Sequence, residues 1–468
     1  MKPFREAEAL FAALRESAKP EAVAAIERLI TEAPDRALCR INALAFTAEH
    51  KLNEEDVIAA FLHAAQLGIF DLSWNILCPG CGGVLNSGTT LKTVNQADYS
   101  CALCAAAYEP TLDEMVEVTF TISPRVRKIA AHDPQTLPWI EYFRQLFWSS
   151  GVDLPNDDKL ANLIKEITLQ TVELPPGEKV ELSLQAPEEF LIVFDPVAHM
   201  SQFIDVKGEP TREQQSLAFV MTKDHAPAGT LEMRPGPLRI FLENRSASRT
   251  LPGIWIAGDK LHDLLGRRRA FLTAKRLLTN QTFRDIYRTD TLAVDQRLKI
   301  TSLTFLFTDL KGSTELYERV GDLAAFDLVR AHFRVLNKIV AKQKGAVVKT
   351  IGDAVMATFP TPDRAMAAAF KMREAVKDLN GDLLLKIGIH TGPCLAVSLN
   401  DRQDYFGQTV NIAARVQGLA TSRSIFATRE VVADSESCRL LKENRIAATP
   451  QTRSLRGIAN QFEIFEIP

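Results

Sequence analysis

The sequence predicts a multidomain chain: an α+β domain from residue 300 to the C-terminus, preceded by a helical module, a zinc ribbon and a β-sandwich-like domain. Three observations predict this. Residues 1–75 carry Ala- and Leu-rich runs at helical spacing. Two Cys-x₂-Cys pairs follow. Thereafter short β-type stretches fill residues 112–258, and beyond Ile300 apolar strands alternate with helices. With 468 residues the chain has ample length for several cores. Its 46% hydrophobic and 24% charged residues are ordinary for a globular protein. The net charge of −3 gives no general attraction to nucleic acid or acidic membranes. No apolar run is long enough for an integral membrane segment, and MKPFREAEAL lacks a signal-peptide core, so a cytoplasmic location is expected.

The helical module, residues 1–75, contains runs over Glu6–Ser17, Glu21–Thr31, Ala37–His50 and Glu54–Gly68, punctuated by Pro20, Pro34 and Asn53. IFDLSWNIL then reads as a strand, so a winged-helix-like arrangement is one reading. Ala37–Gly68 carries few cations and several acids, so nucleic acid is not the expected partner. A docking or sensing role toward an unidentified regulatory ligand or protein is favoured.

Residues 76–111 form the zinc ribbon. Cys78 and Cys81 are separated by nineteen residues from Cys101 and Cys104. Paired Cys-x₂-Cys at this spacing predicts four thiolates around one structural Zn²⁺. Redox motifs usually occur singly at a helix start in a thioredoxin-like βαβ pattern, and none is visible here. Of the seven cysteines, Cys39, Cys394 and Cys438 read as ordinary buried residues.

Over residues 112–258, EMVEVTFTI, KEITLQTVEL, KVELSLQA, EFLIVFD, SLAFVMT, GTLEMR and LRIFLEN alternate or run apolar between turn signals such as PPGEK and RPGPL. One helix-like insert, LPWIEYFRQLFWSS, interrupts them. His199, His225 and His262 have no spaced partners and read as structural or surface residues. Residues 259–299 read as a helical signalling linker, with Leu261, Leu264, Leu265, Leu272 and Phe283 near helical spacing.

The C-terminal region, residues 300–468, is organised around LTFLFTDLKGST. A buried strand ends at Asp309, Gly312 opens a turn, and Ser313 or Thr314 caps a helix running to about Gln343. In AVVKTIGDAVMATF two apolar runs flank Ile351-Gly352-Asp353, a hairpin with Asp353 at its tip and Lys349 on the incoming strand. In DYFGQTVNIAARV, Gly407 precedes a helix on which Asn411 and Arg415 share one face. A lone Asp at a strand end is more often a turn former than a metal ligand. The combination changes that balance.

These three motifs, in this order and spacing, resemble the class III adenylate/guanylate cyclase catalytic domain. The resemblance implies a ferredoxin-like palm working as a head-to-tail homodimer on ATP. It implies that Asp309 and Asp353, assisted by the Leu310 carbonyl, hold two Mg²⁺ or Mn²⁺ ions. It implies that Lys349 and Asp404 read the adenine, that Asn411 orients the ribose, and that Arg415 steadies the phosphate in the transition state. Arg456, in LRG, stands near the family's triphosphate-binding lysine in a loose alignment. His390 is structural by the same resemblance. The preceding region with CPGC and CALC also resembles a regulatory region of some bacterial class III cyclases.

The residue types suit the chemistry of joining a 3′-hydroxyl to its own α-phosphate. Paired carboxylates can hold two hard cations that activate the hydroxyl and cover the leaving pyrophosphate. A guanidinium near the transferring phosphorus meets developing charge. The Lys349 ammonium can donate to adenine N1 and Asp404 can accept from the exocyclic amine, a pattern that guanine opposes. The expected function is adenylate cyclase, regulated by the N-terminal half. The alternatives are a guanylate or mixed-specificity cyclase, and a zinc-containing nucleic-acid-binding regulator with an inactive cyclase domain.

Overall fold

A computed structural model of the chain describes residues 2–94, 98–222, 229–287, 292–293, 295–311, 318–379, 384–399, 402–420, 424–458 and 461–468. Gly312, Ser313, Thr314 and His225 lie outside the described residues. The chain divides into two compact units. The first comprises residues 1–89, 97–110 and 115–272; the second comprises residues 90–96, 111–114 and 273–468.

The first unit opens with helices Lys2–Ser17, Pro20–Glu32, Ala43–His50 and Glu54–Gln66. Asn42 and Asn53 start the latter two, each side chain accepting two backbone N–H groups of the first turn. Strand Phe70–Leu77 pairs with Val84–Gly88 on one side. On the other it pairs with Val116–Ile122, a stretch expected among the strands of the sandwich-like domain. An aromatic cluster holds that pairing: Phe61 stacks on Phe120 at 5.0 Å and meets Phe70 edge-on at 5.3 Å.

Farther along, a three-stranded sheet (Lys179–Ala186, Gln215–Met221, Gly236–Asn244) and a five-stranded sheet share one apolar core. Leu191, Val193 and Ile204 face Leu217, Phe219 and Ile240 there. The sequence reading overlooked helix Asp157–Ile167, whose start Asn156 caps by accepting from Lys159 N–H. Only Thr168–Thr171 of KEITLQTVEL forms a strand.

The linker differs from the continuous helix expected. It breaks into Asp259–Gly266, in the first unit, and two short helices in the second, α1 (Ala274–Leu278) and α2 (Gln281–Ile286). Thr273 and Asn280 explain the breaks, because each side chain accepts a first-turn N–H and starts a new helix.

The second unit is built on an eight-stranded sheet. In chain order its elements are β1 (Leu298–Lys311), α3 (Asp322–Lys342), β2 (Ala346–Ile351), β3 (Ala354–Phe359), α4 (Pro362–Leu379), β4 (Leu384–Leu399), β5 (Arg402–Phe406) and α5 (Gln408–Leu419). They continue as β6 (Ile425–Thr428), two short helices, β7 (Thr449–Ser454) and β8 (Gln461–Ile467). The strand order is β2-β3-β1-β4-β6-β8-β7, with β5 hairpinned onto β4. Side-chain alternation gives the sheet two apolar faces. Leu306, Ile387, Ile425 and Ala427 pack under α3 and α4, among Leu336, Val340, Met366 and Met372. Phe426 and Ile464 point the other way, onto Ile412 and Val416 of α5.

Helix α5 lies unusually close to β4. A Cβ on Gly388 would sit 2.1 Å from the Gln417 backbone nitrogen. Only glycine permits that approach, and it fixes the depth at which α5 rests on the sheet. Gly388→Ala should therefore destabilise the second unit by about 1–3 kcal/mol, the usual cost of overpacking. Urea unfolding of the variant against the parent measures it.

Candidate active site and candidate metal centre

Asp309 stands near the end of β1, directly opposite Lys386 of β4 in the ladder. Asp353 occupies the two-residue turn between β2 and β3, since Ile351 pairs with Ala354. Gly352 has φ of +62°, a conformation that costs an L-residue strain and lets the tip turn beside the sheet. The two carboxylates feel one another. Burial raises the Asp309 carboxyl above its usual value and the Asp353 charge raises it further, while Lys386 and Gln417 pull it back. The Lys386 ammonium lies 3.8 Å from Asp309 Oδ2. Asp353 Oδ2 is buried and, among the described residues, has no hydrogen-bond partner. A buried, unpartnered carboxylate oxygen beside a second carboxylate is a disfavoured arrangement that a cation relieves. The all-oxygen donor set fits a hard divalent ion such as Mg²⁺ or Mn²⁺, and the Leu310 carbonyl adjoins Asp309 in sequence.

Lys349 and Asp404 also come together. Lys349 Nζ donates to Asp404 Oδ2 at 2.5 Å, and Tyr405 N–H donates to Asp404 Oδ1 at 2.8 Å. The Asp404 side chain is only 10% exposed, whereas that of Lys349 is 43% exposed, so the pair presents its lysine end outward. Asn411 and Arg415 share the exposed face of α5. Gln417, two residues later, reaches Asp309 from the same helix. At about 100° per residue, Gln417 points roughly away from the Asn411 and Arg415 side. Helix α5 thus shows one face to the carboxylates of its own chain and the opposite face outward.

Arg456 is exposed on the turn between β7 and β8, and among the described residues no hydrogen bond or ion pair joins it to the other candidates. His390 is buried, with Nδ1 2.8 Å from Thr428 Oγ1, and burial pushes its pKa down to about 4. Sequence reasoning missed three neighbours of the carboxylates: Gln417, described above, Lys386 and His332. Lys386 was legible as the one cation within the apolar run LLLKIGIH. His332 of α3 carried no signal, being one residue in an amphipathic helix. Burial pushes its pKa down to about 4 against the Asp353 charge, and its Nε2 is buried with no hydrogen-bond partner among the described residues.

The candidate metal centre lies in the first unit. The sulfurs of Cys78, Cys81, Cys101 and Cys104 all lie within 4.8 Å of one another. Cys78 and Cys104 are 3.6 Å apart, as are Cys81 and Cys101. A tetrahedron with Zn–S bonds of about 2.3 Å has edges of about 3.8 Å, so the spacing fits a four-thiolate metal site. Disulfide sulfurs would stand about 2 Å apart. The first knuckle is closed by Cys78 N–H donating to the Gly83 carbonyl at 2.8 Å and Gly82 N–H donating to the Cys78 carbonyl at 2.9 Å. Gly83 N–H points at Cys81 Sγ, 3.4 Å away. Hydrogen bonds from Cys101, Cys104 and Cys81 hold the Cys78 thiol well below its ordinary value, favouring a thiolate there.

Comparison with known proteins finds two family matches along the chain, the first of which extends past the boundary between the two units and through most of α2. Residues 4–285 match the family of unknown function (DUF5939), and residues 296–454 match the adenylate and guanylate cyclase catalytic domain. Adenylate cyclase 2 of Rhizobium meliloti is 32% identical over 155 residues, covering 30% of this chain and 41% of its own. An adenylate cyclase of Mycosarcoma maydis is 31% identical over 158 residues, and those span 28% of this chain but only 6% of that protein. The crystal structure of the adenylyl cyclase CyaB from P. aeruginosa overlaps 37% of this chain and 96% of its own, with 24% identity and a TM-score of 0.33. Among the described residues no helix is long and apolar enough to cross a membrane.

Metal analysis of the purified chain should find about one zinc, the stoichiometry of a four-thiolate site. Cys78→Ser should lower that content and reduce the melting temperature of the first unit while the second unit melts as before. Zinc retained after both pairs are replaced would contradict the assignment.

Proposed function

The chain belongs to the DUF5939 family and ends in a class III adenylate/guanylate cyclase catalytic domain, and from that premise we propose that it converts ATP to 3′,5′-cyclic AMP and pyrophosphate. The observation that carries this reading is the coexistence of two constellations in one unit: the Asp309–Asp353 carboxylate pair and the Lys349–Asp404 ion pair.

In this reading Asp309 and Asp353, with the Leu310 carbonyl, hold two divalent cations. Bound there, such ions lower the pKa of the 3′-hydroxyl and neutralise charge on the departing pyrophosphate. The chain's own residues do the rest. Lys386, beside Asp309, offers its ammonium to the triphosphate once the carboxylate is otherwise engaged. Lys349 and Asp404 open their mutual hydrogen bond to take adenine N1 and the exocyclic amine. Until then the ion pair keeps the nearly buried Asp404 carboxylate from standing alone. Asn411 orients the ribose, and Arg415 meets the charge that builds on the transferring phosphate.

Helix α5 supports a homodimer. Its Gln417 side touches Asp309, while Asn411 and Arg415 face outward. A two-fold pairing delivers that outward face to the carboxylates of a second copy and builds two equivalent sites. Exposed apolar side chains suit such a contact: Phe406 is 66% exposed, just before α5, and Ile351, 54% exposed, adjoins the Asp353 turn. The four-cysteine centre is read as structural zinc, and the DUF5939 region as the regulatory part. Its two sheets around one core are read as β-sandwich-like.

Incubating the protein with ATP or GTP, with Mg²⁺ or Mn²⁺, and identifying products tests the proposal. Cyclic AMP should predominate, and Asp353→Ala should abolish it, with a loss of at least about a thousandfold for removing a metal ligand at the reacting centre. Cyclic GMP as the main product would move the assignment to the guanylate class. No cyclic product from either nucleotide under any metal condition would favour an inactive domain.

A further inference from the structure

The Lys349–Asp404 pair does not stand on the sheet alone. β2 is the edge strand, and its register slips between Val347 and Lys349, making Val348 the extra residue of a β-bulge. A bulge frees backbone groups from the ladder and re-aims the side chain that follows, here Lys349. Helix α2 lies against that irregularity. Val347 N–H donates to Gln281 Oε1 at 2.8 Å. Arg284 Nη2 lies 3.4 Å from the carbonyl of the bulged Val348.

The same guanidinium reaches a second strand. Arg284 Nη2 donates to the Gln403 carbonyl at 2.8 Å, and Nη1 donates to Gln403 Oε1 at 3.2 Å. Gln403 immediately precedes Asp404. On the other side of Asp404, the Tyr405 hydroxyl donates to the Leu278 carbonyl, at the end of α1, at 3.3 Å. Gln403 Nε2 donates back to that hydroxyl at 3.1 Å. β2 and β5 are not neighbours in the sheet, so no ladder hydrogen bond sets the distance between them. The α1–α2 segment does. It grips the backbone next to Lys349 with one residue pair and the residues flanking Asp404 with another.

We propose that Arg284 is a positioning residue for base selection: its guanidinium bridges the Val348 bulge to Gln403 and holds Lys349 and Asp404 at the spacing that fits adenine. The proposal rests on the reading of those two residues as the base readers. Two hydrogen-bonding groups discriminate one base from another only if their separation is held. A forked, planar donor serves this purpose better than a flexible ammonium, because it can satisfy two acceptors at once in one fixed plane. The segment is also the first part of the second unit after residue 272, so it gives the preceding chain a covalent lever on base reading rather than on the metal carboxylates.

The test compares KM and kcat for ATP and for GTP in the full-length protein and three variants. Arg284→Ala should raise KM for ATP about tenfold and lower the preference for ATP over GTP about tenfold, with kcat for ATP within about twofold. Arg284→Lys should fall between, keeping the charge but losing the fork. Gln281→Ala, which frees Val347 N–H, should shift the preference in the same direction by a smaller factor. Should Arg284→Ala fail to fold, the other two decide. An unchanged preference in folded variants overturns the proposal, as does an equal loss of kcat for both nucleotides. The double variant Lys349→Glu with Asp404→Cys separates this from failure of the underlying reading. If it shifts the preference and the Arg284 variants do not, the bridge alone is wrong. If it leaves the preference unchanged, the base-reading assignment falls first.

Discussion

Two carboxylates held close together in a partly dry place set the conditions for everything else in the second unit. Asp309 comes from β1 and Asp353 from the β2–β3 turn, and the Asp353 charge together with burial makes the ionised form of Asp309 less favourable. The folded chain tolerates this because the surrounding scaffold is rigid. β1 is paired on both sides, by β3 and β4, and the Asp353 turn allows little slack. Lys386 and Gln417 relieve the repulsion in part, while Asp353 Oδ2 keeps no hydrogen-bond partner among the described residues. A carboxylate pair left electrostatically strained by its own surroundings is a common feature of functional centres.

Under the proposed dimer, the geometry of α5 would extend that local constraint to a second chain. Because Gly388 lets the helix sit against β4, its inner face supplies Gln417 to Asp309. The helical period then obliges Asn411 and Arg415 to face outward. In the proposed dimer one helix would serve two sites, bracing Asp309 of its own chain through Gln417 and presenting Asn411 and Arg415 to a second copy. The Lys349–Asp404 pair follows a similar economy. Its two residues lie on strands that do not pair, and the short helices before β1 supply the connection through Arg284.

Much of this was legible in the sequence where chemistry and local pattern coincide. The strand ending at Asp309, the hairpin carrying Asp353 and the helix carrying Asn411 and Arg415 each announce themselves within about a dozen residues, through apolar runs and glycine punctuation. The four cysteines did so by spacing alone. Other features depend on contacts that no local pattern encodes. Arg284 meets Gln403 across 119 positions and Val348 across 64, so a basic residue in a short amphipathic helix gave no hint of its bridge. Val116–Ile122 read correctly as a strand but joins Phe70–Leu77, because the aromatic packing of Phe61 and Phe120 decides its partner. The linker reads as one helix by hydrophobic spacing, while Thr273 and Asn280 divide it by capping. Arg456, placed by a loose alignment, lies exposed on a turn away from any recorded bond with the other candidates.

In the proposed dimer each active site draws its carboxylates from one chain and the outward face of α5 from another. Asp309→Ala and Asn411→Ala, each nearly inactive alone, can be mixed under conditions of verified subunit exchange. In a mixed dimer one site collects both lesions and the other receives intact Asp309 and intact Asn411. Random exchange makes half of the dimers mixed, so about a quarter of all sites should be whole. The mixture should recover cyclase activity to about that fraction of the parent protein. Verified exchange without recovery would show that the sites lie within single chains and would contradict the account.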